Sequence, residues 1–191
     1  MYDYLKETPS IDYTNPIVQK KVLELKNQSG DDEDYVKRAY VFVRDEIPHS
    51  WDIGADVVSK SASEALENRT GICWAKSCLL AALLRANEIP SGISYQLLAI
   101  SDDASDGHII HALNTVYIND GWIRIDARGN AGPEQLSLDE DLLAFDVRSE
   151  MGEVDFMNND CDLDERLSNM LAECRSLFEI SLDFGTDFLE K

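Results

Sequence analysis

Residues Cys73–Ala86 constrain the fold of this 191-residue chain more than any other stretch. Ala75, Leu79, Leu80, Ala82, Leu83 and Leu84 make it apolar nearly all round. A helix without a polar face must be covered on every side, so this one belongs at the centre of the molecule. Arg85 in the last turn, Asn87 after it and Pro90 beyond mark its end. Its first residue is Cys73, and Gly71 just ahead permits tight backbone entry. A thiol at a helix N-terminus faces unpaired N–H groups and the positive end of the helix dipole. Both favour thiolate, so its pKa should fall below the free-thiol value of about 8.5.

Helical spacing predicts further helices around this one. Asn15-Pro16 supplies a cap and a first-turn proline for a helix over 16–26, with Ile17, Val18, Val22 and Leu25 inward. Tyr35, Val36, Ala39, Tyr40 and Val43 follow the same period in a second helix that stops before Pro48. Pro48–Asp56 reads as an irregular loop, and Ser61-Ala62-Ser63-Glu64 as a capping box that opens a short helix to about Glu67. Strand patterns follow over 93–100, 108–118 and 122–127, with a hairpin signal at Asn119-Asp120-Gly121. A last helix is expected over 162–178, with Leu163, Leu167, Met170, Leu171, Cys174 and Leu177 on one face.

The hairpin places two more reactive side chains. Side chains alternate between faces along a strand. His111, Leu113, Thr115 and Tyr117 therefore share one face, and Ile110, Ala112, Asn114, Val116 and Ile118 the other. An even-length loop makes paired residue numbers sum to an odd total, which puts Asp126 on the His111 face, opposite Leu113 or Thr115. Opposite Leu113 it is the diagonal neighbour of His111 and can reach it. A cysteine nucleophile needs a raised thiolate fraction, a base within reach and a group that fixes the base's tautomer. Cys73, His111 and Asp126 fit these roles, and the Cys73 backbone N–H could hold a developing oxyanion.

Composition excludes several functions. A formal net charge of −20 repels phosphate backbones and anionic membranes, so nucleic acid and membrane surfaces are not expected partners. From Glu134 onward the chain carries 17 Asp+Glu against 4 Lys+Arg, which reads first as a solvated surface and second as a docking face for a basic partner or cation. No apolar run reaches the roughly 20 residues of a membrane span. The N-terminal residues do not read as a signal peptide, and a cytoplasmic location is expected. Cys73, Cys78, Cys161 and Cys174 form no paired CxxC arrangement, so free thiols and no structural metal are expected. The length suits one domain over 1–191, with a core at about 34–130 and an acidic extension over 131–191.

Three blocks resemble the transglutaminase-like superfamily. They are Ala62-Ser63-Glu64-Ala65-Leu66 with Gly71-Ile72-Cys73-Trp74-Ala75-Lys76-Ser77 and Leu80–Pro90, then His111-Ala112-Leu113-Asn114, then Gly121–Asp126. The resemblance implies an α+β, papain-like fold in which a cysteine-bearing helix packs on an antiparallel sheet. It implies Cys73 as nucleophile, His111 as base and Asp126 as its orienting partner, acting on protein, peptide or small amide substrates without a cofactor. Some members transfer the acyl group to an amine, and others resemble hydrolases. By the same analogy Trp51 is a candidate oxyanion donor, and Trp74 a candidate substrate contact. The chain shows no EF-hand loop, so calcium-dependent cross-linking is not expected.

Two rival functions belong beside the enzyme. One is an inactive peptide-binding module with an acidic interaction surface, and the other a redox sensor at Cys73, which would need a resolving thiol. Of the other histidines, His108 should point away from the His111 face. His49 could approach the site only if its loop folds over it.

Overall fold

The computed structural model describes residues 1–129, 137–180, 184–185 and 187–188. Asn130 and residues 131–136, which open the acidic stretch, lie outside the described residues. The elements follow as α1 (Pro16–Gln28), α2 (Asp32–Glu46), α3 (Ala62–Asn68), α4 (Cys73–Ala86), β1 (Ser91–Ala99), β2 (His108–Ile118), β3 (Gly121–Ile125), β4 (Val154–Asp155) and α5 (Glu165–Glu173). The strands form one antiparallel sheet in the order β3-β2-β1-β4. The fold is α+β, as the helical and alternating patterns predict.

Helix α4 is the core. Every residue from Cys73 to Arg85 is buried. It packs against α1, α2 and α3 and against β1 and β2. Tyr35, Val36, Ala39, Tyr40 and Val43 of α2 are buried as their spacing predicts. In α1, Val18, Val22 and Leu25 are buried, but Ile17 is exposed, because it lies one residue, about 100°, round the helix from the Val18–Val22–Leu25 stripe. Lys76 is an unexpected core residue. Its ammonium donates to the Val43 carbonyl at 2.7 Å and to the Ile47 carbonyl, satisfying the C-terminal end of α2 just before Pro48. Burial, with Arg128 nearby, brings its pKa down to about 8.

The hairpin has the expected parity. Ile118 pairs with Gly121 and Asn114 with Ile125. Asn119 and Asp120 both have positive φ (52° and 61°), which a two-residue type I′ turn requires. The third strand is shorter than expected and ends at Ile125 rather than Ala127. The Asp126 N–H leaves the ladder and donates to the Leu142 carbonyl at 3.0 Å, drawing the chain aside. His108–Leu113 of β2 therefore have no partner in β3. Helix α4 fills this gap. The Trp74 indole N–H donates to the Ile110 carbonyl at 2.7 Å, and the Ser77 hydroxyl to the Ala112 carbonyl at 3.0 Å.

The acidic segment covers the sheet's other face. Thr115 Oγ1 donates to Asn159 Oδ1 at 2.6 Å, and Gln96 Nε2 to the Phe145 carbonyl at 3.3 Å. Several of its carboxylates are internal fasteners. Arg124 bonds Asp141 at 2.8 Å and Asp155 at 2.6 Å, and Arg148 bonds Glu153 at 2.7 Å. The last helix is shorter than the 162–178 expected. Asp164 caps its start, and the chain becomes extended at Cys174. Beyond it, Asp56 accepts from the Ser176 hydroxyl and the Leu177 N–H, both at 2.7 Å, and these bonds replace further helical turns. Leu163, Leu167, Leu171, Cys174 and Leu177 are buried all the same. Among the described residues no helix is long and apolar enough to cross a membrane.

Arg85 joins three distant segments. Its buried guanidinium donates twice to the Ser91 carbonyl (2.7 and 3.0 Å) and once each to the Lys6 and Cys161 carbonyls (both 2.7 Å). Arg85→Met keeps much of the apolar stem and removes every donor. It should lower stability by about 3 kcal/mol, because buried acceptors left unpaired cost roughly 1–3 kcal/mol each. Urea unfolding reads this directly, and an unchanged midpoint would contradict it.

Candidate active site

Cys73, His111 and Asp126 meet where α4 abuts the unpaired part of β2. Cys73 begins α4, and the Lys76 N–H already bonds the Ile72 carbonyl at 3.0 Å, so the helix is regular from its first turn. The Cys73 N–H precedes the first intrahelical donors and is left facing outward. Gly71 adopts no positive φ, and its value is steric. A Cβ there would lie 2.9 Å from the Ala75 Cβ, so only glycine lets the chain enter this close to the helix.

His111 Nε2 and Asp126 Oδ2 are 2.7 Å apart, and both side chains are buried. The 114↔125 register, extended by one pair, places Asp126 opposite Leu113 and diagonal to His111. Two backbone donors hold the carboxylate from behind: the Arg128 N–H to Oδ1 at 2.8 Å and the Ala144 N–H to Oδ2 at 3.2 Å. Phe145 stands edge-on to the His111 ring, with centroids 5.2 Å apart. With Nε2 committed to Asp126, Nδ1 is the nitrogen left for the Cys73 sulfur, which lines the same cleft and also lies 4.0 Å from the Ile110 carbonyl.

The electrostatics favour an ion pair. Burial alone would raise the Cys73 pKa, but hydrogen bonds and charge from His111 and His49 more than reverse this and hold it well below the ordinary thiol value. Burial alone would lower the His111 pKa, but the Asp126 carboxylate and the thiolate hold it above the ordinary imidazole value. Asp126 is held low by the charge and hydrogen bond of His111 against the opposing effect of burial. The arrangement can thus keep a thiolate and an imidazolium together near neutral pH, the state from which a cysteine attacks a carbonyl.

The sulfur opens onto a cleft of about 500 Å³ walled by Trp51, Leu98, Ile109 and Phe145, with Arg128, Arg148 and Glu153 also lining it. Trp51 therefore lies beside the candidate nucleophile. Trp74 does not face substrate: it is fully buried, and its indole N–H is spent on the Ile110 carbonyl. The expectation of a substrate contact there is corrected, because anchoring α4 to β2 uses the only donor the ring has. His108 bonds the Met151 carbonyl at 2.8 Å and is occupied outside the cleft. His49, by contrast, lines the cleft together with Cys73 and helps to hold the thiol pKa down. Its loop runs beside Gly71 in a parallel bridge, a long-range pairing that local sequence does not encode. The one available signal was its place between Pro48 and Trp51, in a loop otherwise without purpose. Among the described residues no cluster of His, Cys, Asp and Glu could hold a metal ion.

A thiol at the start of a buried helix, facing an imidazole and a carboxylate on an antiparallel sheet, defines the papain-like class of folds. The sequence profile of the transglutaminase-like superfamily matches residues 19–127, and the chain belongs to that superfamily. No curated protein sequence matches it. Among solved structures it is similar to a candidate cysteine protease from Cytophaga hutchinsonii, with 20% identity and a TM-score of 0.54 over 66% of this chain and 41% of that one. It is also similar to the periplasmic domain of TgpA from Pseudomonas aeruginosa, solved bound to ethylmercury, with 17% identity and a TM-score of 0.51 over 69% of this chain and 49% of that one. The likeness is one of fold, and it spans less than half the length of either relative.

Asp126→Asn tests the electrostatics. Losing the carboxylate lowers the His111 pKa, so the imidazolium that stabilises the thiolate disappears at lower pH, and the apparent Cys73 pKa must rise. The midpoint of iodoacetamide alkylation against pH should lie well below about 8.5 in the unaltered protein and move up in the variant. A midpoint that stays in place would show that Asp126 does not act on the pair.

Proposed function

We propose that the protein is a cysteine-dependent acyltransferase or amide hydrolase that works through a thioester on Cys73. One observation carries this reading: His111 lines the same cleft as Cys73, and its Nε2 lies 2.7 Å from the Asp126 carboxylate. The Cys73 thiolate adds to the carbonyl of a carboxamide or peptide. His111 gives its proton to the leaving amine, then takes one from the incoming water or amine that releases the acyl group. Asp126 keeps the Nδ1 side of the ring toward the sulfur and stabilises the imidazolium, without itself taking the proton. Membership of the transglutaminase-like superfamily and the fold shared with a candidate cysteine protease support the reading.

The redox alternative lacks a resolving partner near the site. Cys78 is buried inside α4, where burial drives its pKa far up, Cys174 ends α5, and Cys161 sits against Arg85 at the opposite end of α4 from Cys73.

The test is chemical. A panel of amide and activated acyl probes should add one acyl mass to the peptide carrying Cys73, removable by hydroxylamine. Cys73→Ala should abolish the adduct, and His111→Ala should slow its formation by about 10²–10⁴-fold. Turnover of an amide by Cys73→Ala at the unaltered rate would refute the mechanism.

A further inference from the structure

The cleft contains a second imidazole that the three-residue mechanism leaves without a task. His49 is buried, lines the cleft together with Cys73 and helps to lower the thiol pKa. Unlike His111, it bonds no carboxylate among the described residues. Its Nδ1 is shut off from solvent and has no hydrogen-bond partner there. A buried ring nitrogen left unpaired is costly, and such a group calls for a partner that arrives from outside.

The mount of this ring is rigid. Its backbone forms a parallel bridge with Gly71, two residues ahead of the sulfur. The Ser50 N–H donates to the Gly71 carbonyl at 3.2 Å, and Thr70 Oγ1 donates to the Pro48 carbonyl at 2.9 Å, so both neighbours of His49 are tied to the segment that leads into α4. Arg128 grips Asp52 through two bonds (2.5 and 2.9 Å) and fixes the far side of the loop. Trp51 stands edge-on to the ring at 5.4 Å between centroids. Position, burial and vacancy coincide on one nitrogen-bearing ring beside the reactive atom.

We propose that His49 is an oxyanion donor of this site, its ring N–H joining the Cys73 backbone N–H on the acyl oxygen of a carbonyl substrate. The proposal rests on the cysteine acyl-transfer reading and adds a fourth side chain to it. In the free protein Nδ1 has no partner among the described residues, and the ring lines the same cleft as the sulfur. When a sulfur lone pair forms the S–C bond, the carbonyl π pair moves onto oxygen, and the negative charge passes from sulfur to an oxygen on the carbon next to it. A donor fixed beside the sulfur is then within reach of the new charge without reorganisation. As the C–N bond breaks, the leaving nitrogen takes its proton from His111, the π bond re-forms and the thioester remains. His49 keeps its proton throughout. It acts by hydrogen bonding, while His111 acts by proton transfer.

Two reactions of the same sulfur separate these roles. Alkylation by iodoacetamide is a displacement that creates no oxyanion, whereas acylation by p-nitrophenyl acetate passes through one. Both rates are measured in the full-length protein for the unaltered form and for His49→Ala, His49→Gln and Trp51→Phe. His49→Ala should slow acylation at least tenfold more than it slows alkylation, and His49→Gln, which retains an N–H donor, should recover part of the loss. Trp51→Phe should change the ratio of the two rates less than twofold. Equal slowing of both reactions by His49→Ala would reduce His49 to a thiolate partner and overturn the proposal. So would a selective acylation loss in Trp51→Phe that His49→Ala does not share. If the unaltered protein shows no acylation at Cys73 while alkylation remains fast at low pH, the acyl-transfer reading itself fails, and the role of His49 falls with it.

Discussion

Two carbonyl oxygens on β2 decide where the Cys73 sulfur sits. Because β3 ends at Ile125, the Ile110 and Ala112 carbonyls face no strand. Left bare in the interior, each would carry a large desolvation cost. The first two turns of α4 supply the donors, Trp74 to one and Ser77 to the other. A helix is thus joined to a strand edge by side-chain bonds where a fourth ladder partner would otherwise lie. That junction sets the height of Cys73 against β2, and with it the meeting of sulfur and imidazole. Burial then turns proximity into chemistry, since in a shielded site charge–charge and hydrogen-bond interactions act at greater strength than in water.

The acidic C-terminal third works inward as much as outward. Ala144 contributes a backbone donor to Asp126, and Phe145 a ring edge to His111. Asp141 and Asp155 neutralise Arg124, and Asp160 pairs its backbone with Ile93 in a short bridge. A stretch that composition describes as solvated surface therefore forms the rear wall of the cleft. Its charge stays soluble at the outside while its backbone completes the site.

The sequence discloses what is periodic and local. Helix α4 was legible because an all-round apolar run has one destination, and the diagonal from His111 to Asp126 because a two-residue turn preserves strand parity. What local pattern could not convey depends on contacts made far along the chain. The early end of β3 follows from the Leu142 carbonyl, the short α5 from Asp56, and the placement of His49 from its pairing with Gly71. The same holds for Trp74. The family resemblance suggested a substrate contact, but the position of a bare carbonyl 36 residues away decided otherwise.

The guanidinium of Arg85 has a bearing on biosynthesis. It draws together carbonyls 79 residues behind it and 76 ahead, at Lys6 and Cys161. A nascent chain that has already made its most oily helix must wait for the second of these anchors to leave the ribosome. Until then that helix, and the strand edge beside it, lack their final cover, the condition under which growing chains aggregate or recruit chaperones. Closure of the molecule around its thiol is consequently a late event, and the sulfur acquires its partners only after most of the chain has been made.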